Sequence, residues 1–256
     1  MRLLLTNDDG IYAKGIEALY EQLRHEHEVL VVAPETEQSA VGHAITLMDP
    51  LRVKPVNRNG AFFGYAVNGT PADCVKLAIK ELMEAPADLV VSGINLGANV
   101  GINVIYSGTV SAATEGTILG IPAIAVSINS IRTPDFGPAA LFARSLVREV
   151  ATRGLPPRTL LNVNVPALSA AEIKGVRITR QGVTRFVERF DRRVDPRDGI
   201  YYWQCGSTPL FEEDKETDGC ALAEGYISIT PIHYDLTNYA FLDTLRGWAF
   251  PQVKSR

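Results

Sequence analysis

The chain has 256 residues, 46% hydrophobic and 21% charged, enough apolar material for a buried core and too much for a disordered chain. With 25 Lys+Arg against 29 Asp+Glu the net charge is −4, which argues against a general nucleic-acid binder but leaves room for small phosphorylated ligands, which need only a local positive site. Three cysteines (Cys74, Cys205, Cys220) lack zinc or redox spacing and read as free thiols of a cytoplasmic protein; no apolar run reaches membrane length, and the three leucines before Asp8 are too few for a secretion signal.

Residues 2 to 6 form a short apolar run that stops at an Asn-Asp-Asp-Gly turn. Ile16, Leu19, Tyr20 and Leu23 follow at helical spacing, and 28–34 is a second continuous apolar strand ended by Pro34. Two buried strands around an amphipathic helix predict a parallel α/β sheet. The pattern recurs. A strand over 62–67 leads to a helix capped by Thr70, with Pro71 at its first position and Asp73 in its first turn, running to about Met83. Strands follow at 88–92, 121–127 and 160–165, with helices at 109–119 and 138–152. Beyond about residue 165 the character changes. Residues 176–180 and 185–190 alternate polar with apolar, as half-exposed antiparallel strands do. Tyr201-Tyr-Trp203 reads as a returning strand, 211–218 as an acidic mobile loop, 226–232 as a strand and 238–248 as a terminal helix. The expected division is an α/β body over 1–165 and an extension over 166–256, a hairpin arm plus helix suited to oligomerisation.

Ligands of open parallel sheets bind outside the carboxyl ends of the strands. Three polar clusters fall there: Asn7-Asp-Asp-Gly10, Glu35-Thr-Glu-Gln-Ser39 and Ser92-Gly-Ile-Asn95. Adjacent carboxylates leaving a strand are costly in apolar surroundings without a positive partner, and a divalent metal is one such partner. Asp, Ser and Asn oxygens are hard ligands that suit Mg²⁺ or Mn²⁺ better than Zn²⁺. A turn and helix cap is the alternative reading of Asp8 and Asp9. Tyr106-Ser-Gly-Thr-Val110 runs into a helix of small residues whose first N–H groups suit a phosphate; the alternative is an ordinary helix start capped by Thr109. His43 falls close enough to Ser39 to share the rim.

In this order and spacing, several segments resemble the SurE family of survival-protein nucleotidases. They are Thr6-Asn-Asp-Asp-Gly10, Ala33-Pro34 with Gln38-Ser39, Val67-Asn-Gly-Thr-Pro-Ala-Asp-Cys74, Ser92-Gly-Ile-Asn95 with Gly97-Ala-Asn99, Tyr106-Ser-Gly-Thr-Val110, Ala113 with Glu115-Gly116, and Gly120-Ile-Pro122 with Ala125-Val-Ser127. The resemblance covers most of residues 1 to 130; the second half matches mainly in layout. It implies a Rossmann-like, mostly parallel sheet with helices on both faces, and a homodimer or homotetramer with exchanged C-terminal elements. It implies a phosphatase of nucleoside monophosphates (5′, and 3′ as well) that also takes other small phosphate esters, forming no stable nucleic-acid complex. It places one divalent metal, Mg or Mn first and Co third, on Asp8, Asp9, Ser39 and Asn95. The mechanism expected on this basis has a metal-activated water attack phosphorus. Asp8 and Asp9 hold the metal, and Asn95 with Ser107, Gly108 and Thr109 steadies the phosphoryl oxygens. Two rivals stand beside it. An aspartyl-phosphate enzyme usually has its two aspartates one residue apart, unlike the adjacent pair here. A non-catalytic nucleotide-binding module is the other.

Overall fold

The computed structural model describes all residues except 131, 133, 184, 186, 208–213 and 251–256. The first strand, β1 (Arg2–Thr6), lies in the middle of the sheet, with α1 (Lys14–Leu23) returning the chain to β2 (Glu28–Pro34) at its side. β3 (Val53–Arg58) and β4 (Ala61–Val67) complete that flank: β4 runs parallel to β2, and β3 runs antiparallel on the edge. The chain then crosses through α2 (Pro71–Leu77), extended by a π-helical turn over Ala78–Leu82, to β5 (Leu89–Leu96) on the other side of β1. α3 (Gly108–Ile118), β6 (Ala123–Asn129), α4 (Gly137–Arg153) and β7 (Leu160–Pro166) continue outward in parallel.

Beyond β7 come β8 (Val176–Ile178), β9 (Val187–Val194), β10 (Ile200–Ser207), α5 (Asp218–Ala223), β11 (Ile227–Ile232) and α6 (Tyr239–Arg246). The sheet order is β3-β4-β2-β1-β5-β6-β7-β11-β8, while β9 and β10 form a separate two-stranded ribbon. The expected mostly parallel α/β sheet with an antiparallel element is what the structure contains. The sheet does not stop near residue 165, however. β11 pairs antiparallel with β7, and β8, expected to be antiparallel, pairs parallel with β11. Alternation reports a half-exposed strand but says nothing about its partner. β3 escaped notice because Lys54, Pro55 and Asn57 give it an edge strand's polar face. The acidic stretch 211–218 lies partly outside the described residues, and its end, Asp218, opens α5.

Strand alternation sorts the core into two layers. Leu3 and Leu5 face α1 and α4, packing with Ile16, Leu19, Ala143 and Val147. Leu4 faces the opposite layer, packing with Val75, Val110 and Ala113 of α2 and α3. The helices therefore cover both faces. Small residues let α3 press onto the sheet: a Cβ at Gly116 would lie 2.7 Å from Val90 Cγ2. The α2 start follows its expected chemistry. Thr70 Oγ1 accepts from Asp73 N at 3.1 Å, and Asp73 Oδ2 accepts from Thr70 N at 2.9 Å, with Pro71 at the first helical position.

Candidate active site at the strand ends

The strand order places β1 between β2 and β5, so the chain leaves β1 in opposite directions on its two sides. This is the topological switch point, where the loops beyond the strand ends part and leave a crevice. The crevice is a cleft of about 620 Å³. Asp8, Ser39, Asn95 and Ser107 line it, together with Gly97, Asn99, Asn103 and Tyr106 of the following loop.

Backbone bonds stitch the three predicted clusters together. Gln38 N donates to Asp8 O at 2.7 Å, setting the loop that carries Ser39 beside the β1 turn. Inside that turn, Asn7 Nδ2 donates to Gly10 O at 2.9 Å. Leu96 N donates to Asp9 Oδ2 at 3.2 Å, tying the second aspartate to the end of β5. At that end the β5–β6 register slips by one residue between Gly93 and Asn95, a bulge that re-aims Asn95. Gly93 has φ +132°, and a Cβ there would lie 2.2 Å from Val126 O, so only glycine fits. Asn95 Nδ2 donates to Gly97 O at 2.7 Å, which leaves its Oδ1 as the acceptor to offer.

The two aspartates diverge. Asp8 is buried and turns toward α3, where the Thr109 hydroxyl donates to its Oδ1. A Cβ at Gly108 would lie 2.8 Å from Asp8 Cβ, so the helix start sits directly against this side chain. Burial pushes the Asp8 carboxyl up, opposed by the Thr109 hydroxyl and backbone. Asp9 is pushed up to about 7, first by burial and then by the neighbouring charge of Asp8, while the Leu96 N–H pulls it down. Glu37 raises both, and no cationic side chain is among the groups that shift either. Ser39 stands on the exposed lip, its Oγ donating to Glu37 Oε1 at 2.5 Å.

These residues fit a hard divalent cation. Burial raises both carboxyls, and the Asp8 charge raises Asp9 further, a state that a cation relieves. Among the described residues no group of three or more His, Cys, Asp or Glu is arranged to hold a metal. A cation here would take two carboxylates and complete its shell with neutral oxygens, the Ser39 hydroxyl and the Asn95 amide. That all-oxygen set suits Mg²⁺ or Mn²⁺.

Of the three residues expected to cradle phosphate, Ser107 lines the cleft, whereas Gly108 and the Thr109 hydroxyl serve Asp8. The α3 cap is Ser107, whose Oγ accepts from Val110 N at 3.1 Å, and not Thr109. Two hydroxyl residues flank Gly108, and sequence could not choose between them. His43 is engaged by Glu115: its Nε2 lies 2.8 Å from Glu115 Oε2, and Lys76 Nζ lies 2.5 Å from Glu115 Oε1. Burial raises the cost of the Glu115 charge, but His43 and Lys76 outweigh it and hold that carboxyl below its usual value.

Sequence reading also missed the wall built around Asn99. Asn99 N donates to Asn164 Oδ1 and its Nδ2 to Ser127 Oγ, both at 2.8 Å. Its carbonyl accepts from Asn162 Nδ2 at 2.8 Å and Asn164 Nδ2 at 3.1 Å. The available signal was the pair Asn162 and Asn164, two polar residues at alternate positions in an otherwise apolar strand. Glu188 and Gln204, from β9 and β10, complete the cleft lining.

The chain matches the family model described as Survival protein SurE over residues 3–188. It is 64% identical to a protein named 5′-nucleotidase SurE from Syntrophobacter fumaroxidans, covering 97% of this chain and 99% of that one. A protein of the same name from Syntrophus aciditrophicus is 59% identical, covering 96% and 93%. The crystal structure of the SurE protein from Aquifex aeolicus superposes with a TM-score of 0.84 at 42% identity, over 96% of this chain and 98% of that one. With the cleft at the switch point and the motifs of its strand ends in place, this chain belongs to the survival protein SurE family.

Proposed function

We propose that this protein is a divalent-metal-dependent phosphatase that hydrolyses nucleoside monophosphates at the 5′ position, and at the 3′ position as well. The observation that carries the metal is the pair Asp8 and Asp9: burial raises both, the Asp8 charge raises Asp9 further, and among the described residues no cationic side chain lowers either. The nucleotide comes from the relatives, which are named 5′-nucleotidase over nearly their full length. Bound at Asp8, Asp9, Ser39 and Asn95, a divalent cation supplies charge to polarise a phosphoryl oxygen and to acidify a water.

The chain's own residues do the rest. The Thr109 hydroxyl and the α3 start hold the Asp8 carboxylate in one orientation, and the Leu96 N–H does the same for Asp9. Fixed ligands cost no reorganisation when charge develops, the condition for electrostatic catalysis. Asn95 is turned by Gly97 O so that its Oδ1 is presented and its Nδ2 is not. The amide thus serves as a ligand, and steadying of the phosphoryl oxygens falls to Ser107 and the loop beyond Asn95. The same commitment of Asp8 to Thr109 speaks against Asp8 as a phosphorylated nucleophile.

The test uses chelated protein with nucleoside monophosphates and added Mg²⁺, Mn²⁺ or Co²⁺, alongside Mn²⁺ binding by calorimetry. Asp9→Asn is expected to lose about 100-fold or more in both turnover and Mn²⁺ affinity while keeping its circular dichroism. Near-wild-type turnover in this variant would sink the metal assignment. A protein that binds nucleotide but turns over none with any metal is instead a binding module.

The reading extends to the setting. The three cysteines are free, as a reducing cytoplasm requires, and no described helix is long and apolar enough to cross a membrane. Phe190, Tyr202 and Trp203 on the β9–β10 ribbon are exposed, as are Tyr239, Phe241 and Trp248 in and beyond α6. The surface around α6 suits a homodimer or homotetramer with exchanged C-terminal elements, and the ribbon's aromatic side chains suit a contact with a second chain.

A further inference from the structure

The ribbon of β9 and β10 stands apart from the sheet, its two strands packing chiefly on each other. Yet two of its side chains, Glu188 and Gln204, line the same cleft as Asp8, Ser39 and Asn95. The pairing register explains how. Glu188 lies opposite Gly206 and Gln204 opposite Phe190, and directly opposed residues share a face of an antiparallel pair. Glu188, Phe190, Tyr202 and Gln204 therefore stand on one side of the ribbon. Gly206 places no side chain over Glu188, so the carboxylate is left open toward the cleft.

The cleft is also larger than its cation end requires. Its volume of about 620 Å³ sits within the range of about 300–1,000 Å³ typical of sites for whole small molecules. A phosphate held among Asp8, Ser39 and Asn95 leaves most of it unfilled. The ribbon offers an anionic acceptor, the Glu188 carboxylate, and the Gln204 carboxamide, which both donates and accepts. Sugar hydroxyls and base edges can donate to a carboxylate, whereas an anionic phosphoryl group cannot and is repelled by it.

We infer that Glu188 and Gln204 bind the nucleoside part of the substrate and set selectivity among phosphate esters. This rests on the phosphatase reading for its assay but not for its binding test. Gln204→Ala and Glu188→Gln are compared with the unaltered protein on the four common nucleoside 5′-monophosphates and on p-nitrophenyl phosphate, which has no nucleoside. For each variant, kcat/KM on the nucleotides relative to that on p-nitrophenyl phosphate is expected to fall about five- to tenfold, mainly through KM, the worth of one lost hydrogen bond. In parallel, calorimetry with Mn²⁺ present reads adenosine 5′-monophosphate affinity directly and is expected to show a similar loss. An equal fall on both substrate types, or none, overturns the inference. If the unaltered protein hydrolyses no ester with any metal, the phosphatase reading fails. The calorimetric comparison then decides the ribbon's role alone: weakened nucleotide binding upholds it, and unchanged binding overturns it.

Discussion

The rim at the strand ends and the β9–β10 ribbon meet the same cleft but are built by opposite means. Each rim residue is fixed by something outside itself: Asp8 by Thr109, Asp9 by the Leu96 N–H, Asn95 by a bulge that only glycine allows. The ribbon residues hang on local pairing, and their neighbours Phe190 and Tyr202 are 61% and 59% exposed. The fold over-determines the geometry of the rim and leaves that of the ribbon to local pairing. Sequence change should therefore cost stability at the rim and little stability on the ribbon.

That contrast breaks most readily at Gly108. A methyl group there meets Asp8 Cβ at 2.8 Å, with Pro71 Cγ at 3.2 Å behind it, so neither the helix nor the aspartate has room to yield. Gly108→Ala is expected to cost about 1–3 kcal/mol in denaturant unfolding and most of the turnover, although alanine is the better helix former. Wild-type activity in this variant would show the rim to be softer than described.

A second test is pH. Asp9 has its folded value near 7 and an ordinary value of 3.8. The metal-free fold thus holds this proton more tightly than the unfolded chain does, and Asp8 is shifted in the same direction. The sign follows: stability is fully present below about 4 and is lost as pH rises through about 7. Thermal melting of chelated protein should fall from pH 5 to pH 8, and Mn²⁺ should raise it more at pH 8 than at pH 5. A flat profile would mean that the rim carries no such uncompensated charge.

The smallest effect is expected on the ribbon. Ile200 is 56% exposed at the start of β10, and Ile200→Thr should change stability by no more than about 0.5 kcal/mol by chemical denaturation. A larger loss that depends on protein concentration would sharpen the comparison differently, by showing that a second chain covers this face.

The same division governs what could be read from sequence. Leu3 to Leu5, 28–34 and 89–91 are continuous apolar runs because both sheet faces are covered, and such runs announce themselves. The turns after them carry Asp8, Ser39 and Asn95, so the rim was legible once the strands were. The role of Thr109 was not, because an N-cap and a carboxylate's partner use the same hydroxyl chemistry. Nor was the partner of β8 or β11, since alternation fixes a face and not a neighbour. Glu188 and Gln204 were beyond reach: nothing local in an exposed ribbon says which distant crevice it borders.

The bonds around Asn99 carry a consequence for motion. They join the loop over 97–101 to β6 and β7, and Gly101 N is held in addition by Asp218 Oδ2 at 2.9 Å, from α5. To swing that wall outward would strip hydrogen bonds from several buried amides at once, an event on the time scale of partial unfolding and far slower than ordinary loop motion. On that side the cleft therefore keeps one width, and Asn99 sets it.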